Sequence, residues 1–216
     1  HKNWLENLIR PIIEKNVVAV GGKILTRKEN NILSEFSDFI KALREPVRNQ
    51  KGEIIIIITA NAAFSKKAFN SINGFDSRFS ASGGEDLDLT YRLSEAGYSN
   101  RFFYEPNAIL EHVHRSDLIN FLKQQFNYGF WDMYHFILRK RDPKVLEVSL
   151  PTPINILVYV KNSFLYSIGL ISTIPENYGL LKKYILFPSI SFIRKLAVMF
   201  GGIKCYYFYP PKPANE

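Results

Sequence analysis

Four short segments, in chain order, hold side chains that could do chemistry: Thr59-Ala-Asn61, Gly83-Gly-Glu-Asp86, His112-Val-His114 and Gln125 through Gly129. Glu85 and Asp86 are adjacent carboxylates behind a flexible glycine pair. Neighbours on a helix cannot point the same way, so one can face a cleft while the other caps the helix. A carboxylate at a helix N-terminus stays ionised, which suits a general base but lowers its basicity. The plain alternative is an acidic first turn continued by Asp88. Alternation along a strand puts His112 and His114 on one face, within reach of one metal ion. With Arg115 they could instead hold a phosphate, or they could be strand-end histidines satisfied by backbone groups. Asn61 follows an apolar strand, the place where α/β sheets bind ligands, and could equally be a turn residue. Gln124, Gln125 and Gly129 lie on a long helix, where a polar face and a close helix contact compete with a site.

The elements that must position these residues follow from periodicity. Trp4 to Ile13 has Trp4, Leu5, Leu8, Ile9 and Ile12 on one side of a helix interrupted by Pro11. Val17–Val20 is a buried strand expected to end in a turn at Gly21-Gly22. Apolar residues at 32, 36, 39, 40 and 43 have helical spacing. Glu53 to Thr59 contains five consecutive isoleucines, the pattern of a strand buried on both faces. Ser65 caps a helix over 66–72 that stops at Gly74, and Glu85 to Ala96 is a helix stopped by Gly97. Residues 101–104 and 108–111 read as two strands around Pro106. Ser116 caps a long helix with a stripe at Leu118, Leu122, Phe126, Phe130, Met133/Tyr134 and Ile137. Strands alternating with helices indicate an α/β layer fold.

Composition narrows the class. The chain has 216 residues, 46% apolar and 14% aromatic, which excludes disorder. The single cysteine excludes a disulfide scaffold and cysteine zinc sites. The formal charge of +8 is unevenly placed: residues 1–138 hold 17 basic and 16 acidic side chains, residues 139–216 hold 11 and 4. The tail is also strongly apolar, which favours an anionic membrane surface over nucleic acid. Residues 154–174 carry one charge, Lys161, over a length that just spans a bilayer. Residues 184–193 read as too short to cross and carry Pro188. The tail is therefore expected to form interfacial or re-entrant helices, with a single span as the alternative. A basic break at 139–144 marks the boundary between domains 1–141 and 142–216.

Order and spacing together resemble the second half of a family 2 glycosyltransferase with a GT-A fold, from Trp4 to about Arg141. Trp4-Leu-Glu-Asn-Leu with Val17-Val-Ala-Val-Gly-Gly-Lys is similar to the stretch after that family's DxD motif. Thr59-Ala-Asn61 resembles its T-G-N strand end, with Ala60 in place of glycine. Asn73-Gly-Phe-Asp76 and Gly84-Glu-Asp86-Leu-Asp-Leu-Thr-Tyr-Arg92 resemble G-F-D and G-E-D-x-D-L-x-x-R. Gly97-Tyr98, Tyr104-Glu-Pro106-Asn-Ala and His112-Val-His114-Arg-Ser continue the match, with Gln125 to Gly129 in the following helix. That helix lacks the basic residue of the Q-x-x-R-W form of processive synthases.

The resemblance implies a partial, Rossmann-like GT-A layer followed by an α-helical membrane-associated extension. It implies an inverting transferase using a nucleotide-diphosphate sugar, with a glycan or lipid-linked acceptor and no nucleic acid. Asp86 would be the catalytic base, supported by Glu85. Asn61, Thr59, Arg92, Gly84 and Gln125 would serve the substrates. His112 or His114 would complete a metal or diphosphate site for Mg2+ or Mn2+. That metal is expected with a DxD half about 80–120 residues long, N-terminal to this chain, as α/β domain sizes suggest. On that expectation this chain alone is inactive. The alternative is a non-catalytic membrane- or partner-binding remnant. The implied location is the cytoplasmic face of a membrane, peripheral or single-span.

Overall fold

The computed structural model describes residues 1–27, 29–42, 45–80, 83–139 and 150–211. The chain divides into two compact units, His1–Ser80 with Glu85–His114, and Ala81–Gly84 with Arg115–Glu216. The expected boundary at 141/142 and most of the basic break lie outside the described residues.

The first unit is an α/β layer. Its sheet has the order β4-β1-β5, with β1 at Ala19–Thr26, β4 at Ala62–Phe64 and β5 at Phe102–His112. β1 runs antiparallel to β4 and parallel to β5. One apolar cluster joins Val18, Ala19, Ile57, Ala68, Leu89 and Leu93, which brings α3 (Lys66–Ser71) and α4 (Glu85–Leu93) to the sheet. Another joins Leu8, Val17, Val20 and Ala108, which brings in α1 (Trp4–Glu14). Leu8 and Pro11 are the buried residues of α1, whereas Leu5 and Ile9 are exposed. α2 (Ile32–Phe39) is shorter than its periodicity suggests; Asn31 caps it by accepting from the Leu33 and Ser34 amides.

Three expectations about this sheet change. Gly21 and Gly22 do not end β1; the strand runs through them. Small residues are required there because a Cβ on Gly21 would sit 2.8 Å from Pro46, and one on Gly22 would sit 2.5 Å from the Ala108 carbonyl. The two strands expected around Pro106 are one strand, β5, whose register jumps: Gly22 pairs with Glu105 and Lys23 with Ile109. Residues 106–108 form the resulting bulge, and bulges are where proline fits a strand. The isoleucine run pairs only at β3, Ile54–Ile56, in a two-stranded hairpin with β2 (Val47–Arg48). It leaves the strand because the Ile57 amide donates to Thr90 Oγ1 on α4 instead of to a neighbouring strand.

The second unit is helical, with α5 at Leu118–Leu138, α6 at Pro153–Gly169 and α7 at Phe187–Phe208. Asp117, not Ser116, caps α5 by accepting from the Asn120 amide. The buried face of α5 is Phe121, Gln125, Gly129, Met133 and Phe136, displaced from the expected stripe. Leu118 is exposed. The displacement follows from glycine: any Cβ on Gly129 would collide with the Val198 carbonyl of α7, and any on Gly201 with the Phe126 carbonyl of α5. Backbone contact this close fixes which faces meet.

Two stretches are long and apolar enough to cross a membrane, Pro153–Ser172 and Lys182–Phe208. The second corrects the expectation of a segment too short to cross. Pro188 sits in the first turn of α7, where its missing N–H is harmless, so the helix continues for 22 residues. α6 is turned inside out relative to a soluble helix. Ser163 and Ser167 are buried, and Ser167 Oγ meets Ser191 Oγ at 3.1 Å, while Ile154 and Leu157 are 74% and 71% exposed.

Candidate functional site

Two sequence motifs meet at Asp86. The short helical turn Thr59–Asn61 presents the Thr59 hydroxyl, which donates to the Asp86 carboxylate in the first turn of α4. Thr90 Oγ1 donates back to the Asp86 carbonyl at 2.8 Å, tying this turn to the next. Burial pushes the Asp86 carboxyl up to about 6; the Thr59 hydrogen bond opposes this and the neighbouring Glu85 charge adds to it. Helix-terminal placement alone argued for lowered basicity. Desolvation overrides it, and the group becomes a stronger base than a surface aspartate.

Asp88 and Arg92 form a structural clamp rather than an open pair. Asp88 is fully buried and bonds Arg92 Nε at 2.7 Å. The other guanidinium nitrogens donate to the carbonyls of Ile72 (2.7 Å) and Gly74 (2.6 Å). Arg92 therefore orients the Asp88 carboxylate, and its remaining donors pin the end of α3.

Asn61 does not line an open site. It is 2% exposed, its Nδ2 donates to the Lys23 carbonyl (2.9 Å) and the Ala108 carbonyl (2.8 Å), and its Oδ1 accepts from Trp4 Nε1 (2.8 Å). It fills the gap opened by the β5 bulge, so the fold itself uses the amide that was expected to serve a substrate. The bulge geometry, set by tertiary register, was the missing signal.

His112 and His114 do share a face, with ring centroids 5.0 Å apart. His114 Nε2 lies 3.1 Å from Thr26 Oγ1. Burial lowers the His114 pKa, His112 lowers it further and Asp38 opposes both, which favours the neutral ring. Neutral imidazole is the metal-ligating form. Among the described residues, no group of three or more His, Cys, Asp or Glu side chains gathers as a metal site. The pair by itself could supply at most two ligands.

Gly83 and Gly84 have φ of 125° and 86°, conformations that only glycine adopts readily, and a Cβ on Gly83 would press on Tyr128 and Trp131. Gln125 belongs to the helical unit and is buried on the α5 face that carries Gly129.

Sequence comparison bears on the same residues. A family model described as the N-terminal domain of galactosyltransferase matches residues 49–115. That interval holds Thr59, Asn61, Glu85, Asp86, Arg92, His112 and His114. Pre-mycofactocin glycosyltransferases from two strains of Mycobacterium tuberculosis, CDC 1551 / Oshkosh and ATCC 25618 / H37Rv, are each 29% identical over 133 residues. Residues 49–115 are thus similar to a glycosyltransferase segment. The alignment covers 59% of this chain and 27% of each relative, so the chain spans about a quarter of the length of the curated relatives it matches. The glycosyltransferase match ends at Arg115, where the helical unit begins.

Proposed function

We propose that the protein is an inverting glycosyltransferase of the family 2, GT-A type that moves a sugar from a nucleotide-diphosphate sugar to an acceptor hydroxyl. The carrying observation is Asp86, a carboxylate lifted to about 6 and held by Thr59 from a second motif. Above that pH it is ionised and basic enough to take the acceptor proton as that oxygen attacks the anomeric carbon. The sugar–diphosphate bond breaks on the opposite face, which inverts the centre. Glu85 raises the basicity of Asp86 through its charge, and Thr59 fixes the direction of the carboxylate. His112 and His114 are the residues that would approach a divalent cation, Mg2+ or Mn2+, which would offset charge on the departing diphosphate.

The helical unit supports placement at the cytoplasmic face of an anionic membrane, peripheral or single-span, and hence a lipid-linked or surface glycan acceptor. Its support is the inverted polarity of α6 together with the basic surplus of residues 139–216. The test of the catalytic reading uses the genomically encoded protein, a panel of nucleotide sugars and product analysis. Transfer by wild type that disappears in Asp86→Asn supports it. Undiminished transfer by that variant overturns the assignment of the base, and binding to membranes without any transfer favours a non-catalytic module.

A further inference from the structure

The helical unit contains a cleft of about 240 Å³ between α5, α6 and α7. Asp132, Asn155 and Tyr159 contribute its polar lining; Met133, Ile156 and Met199 are among its apolar walls. Nothing in the transfer chemistry uses it. One Asn155 Nδ2 hydrogen donates to the Leu150 carbonyl at 2.8 Å, and the Tyr159 hydroxyl donates to the Lys195 carbonyl at 3.3 Å. The Asn155 amide has a second N–H and an accepting oxygen, and the Asp132 carboxyl accepts when ionised and can donate when protonated. A ligand that fits must therefore bring hydrogen-bond donors to these oxygens, and gains if the same groups can also accept.

Two donor-rich chemistries compete, an ammonium and a set of sugar hydroxyls. Charge decides between them. Lys195 lines the cleft, and its ammonium lies 4.2 Å from the Tyr166 ring centroid. Arg194 interacts with Tyr159 and Tyr166. Two cations around the cleft oppose a third. Burial holds the Asp132 carboxyl up at about 7, so it carries only part of a compensating charge at neutral pH. Hydroxyls need no such compensation, and the apolar walls suit the C–H face of a sugar ring and an attached alkyl chain.

We propose that the α5–α6–α7 cleft is a saccharide-binding site, distinct from Asp86, that takes one sugar ring carried on an alkyl or lipid chain, with Asp132 and Asn155 accepting from its hydroxyls. The site lies wholly in the helical unit and does not depend on the catalytic reading.

The test reconstitutes the whole protein in phosphatidylcholine nanodiscs and measures saturation transfer to octyl β-glucoside below its micelle-forming concentration. Octyl tetraethylene glycol ether is the sugarless control and octylamine the cationic one. The expected result is saturable binding of the glucoside, with transfer to its ring protons, and weak binding of both controls. Asp132→Leu weakens the glucoside about tenfold, the loss of one buried hydrogen-bonding partner. Asp132→Asn keeps an acceptor oxygen and retains affinity within about threefold. Equal binding of glucoside and ether, tighter binding of octylamine, or unchanged affinity in a folded Asp132→Leu protein would each overturn the proposal. If Asp132→Leu does not fold, the comparison of ligands on wild type and Asp132→Asn decides alone.

Discussion

At the residue scale the decisive feature is one carboxyl group. Asp86 moves from 3.8 to about 6 because burial penalises its charge. The folded state holds this proton more tightly than the unfolded chain, so the stability it contributes is complete below about pH 4 and is lost as pH rises through about 6. Above that the ionised group is a standing penalty of roughly 2 kcal/mol once partial solvation is allowed for. Asp86→Asn should therefore melt several degrees higher than wild type at pH 7.5 and at nearly the same temperature at pH 4, while losing transfer about a hundredfold or more. Calorimetry at both pH values checks this; an equal difference at both would contradict a buried, raised carboxyl. Thr59→Val removes the bond that restrains the shift, so the acid limb of the pH–rate profile should move to higher pH. The pair was legible in sequence as motif residues, but its linkage was not, because Thr59 and Asp86 are 27 positions apart. Asn61 shows the opposite failure. Its type suggested a ligand contact, and only the β5 bulge reveals an amide holding two carbonyls and an indole. Asn61→Leu should lose about 3 kcal/mol in denaturant unfolding, since it strands buried carbonyls.

At the element scale, periodicity located most of the helices and mistook some of the faces and strands. Helix α4 starts at Glu85 as its pattern required but ends at Leu93, and a π-type turn over Ser94–Tyr98 carries the chain through Gly97 (φ 86°). The isoleucine run was misread because β-branching reports a buried extended backbone, not a strand partner, and Thr90 takes the Ile57 amide. On α5 the apolar stripe at Leu118, Leu122 and Phe126 pointed to one face, whereas packing chose the face of Gly129 and Gln125. Side-chain hydrophobicity cannot signal a contact made by the absence of a side chain. That contact gives a sharp prediction. Gly129→Ala puts a methyl group into the Val198 carbonyl, and α5 and α7 must separate to relieve it. The variant should lose several kcal/mol or fail to form a compact helical unit. Ala substitution at Gly97, where a Cβ meets nothing within 4 Å, should cost only about 1 kcal/mol of backbone strain. Parallel thermal melts of the two variants separate packing from conformation; equal losses would contradict the close approach.

At the scale of the whole molecule, charge and polarity point to a lipid surface, and each makes a different demand. On the proposed membrane placement, the basic surplus of residues 139–216 would be drawn to anionic headgroups at about 1 kcal/mol per residue near the surface, and salt would screen this attraction. The apolar face of α6 would enter the acyl boundary in a way salt does not screen. In sequence α6 was an apolar stretch diluted by serines and asparagines. The structure assigns two of the serines to one side: Ser163 and Ser167 face inward and Leu157 and Leu165 face outward, where Lys161 and Asn162 are also exposed. In water that arrangement exposes apolar surface for no gain; in lipid it hydrates nothing and lets the serines bond between helices. Leu157→Glu with Leu165→Glu replaces two outward residues, 71% and 54% exposed, without touching the Ser167–Ser191 contact. The double variant should keep its helical circular dichroism yet lose most of its flotation with phosphatidylglycerol vesicles, at low and at high salt. Wild type should float on these vesicles more completely than on phosphatidylcholine, and moderately less in 0.5 M salt. Flotation by the double variant equal to wild type would mean that charge alone holds the protein to lipid and that the outward face of α6 is covered by something other than a membrane.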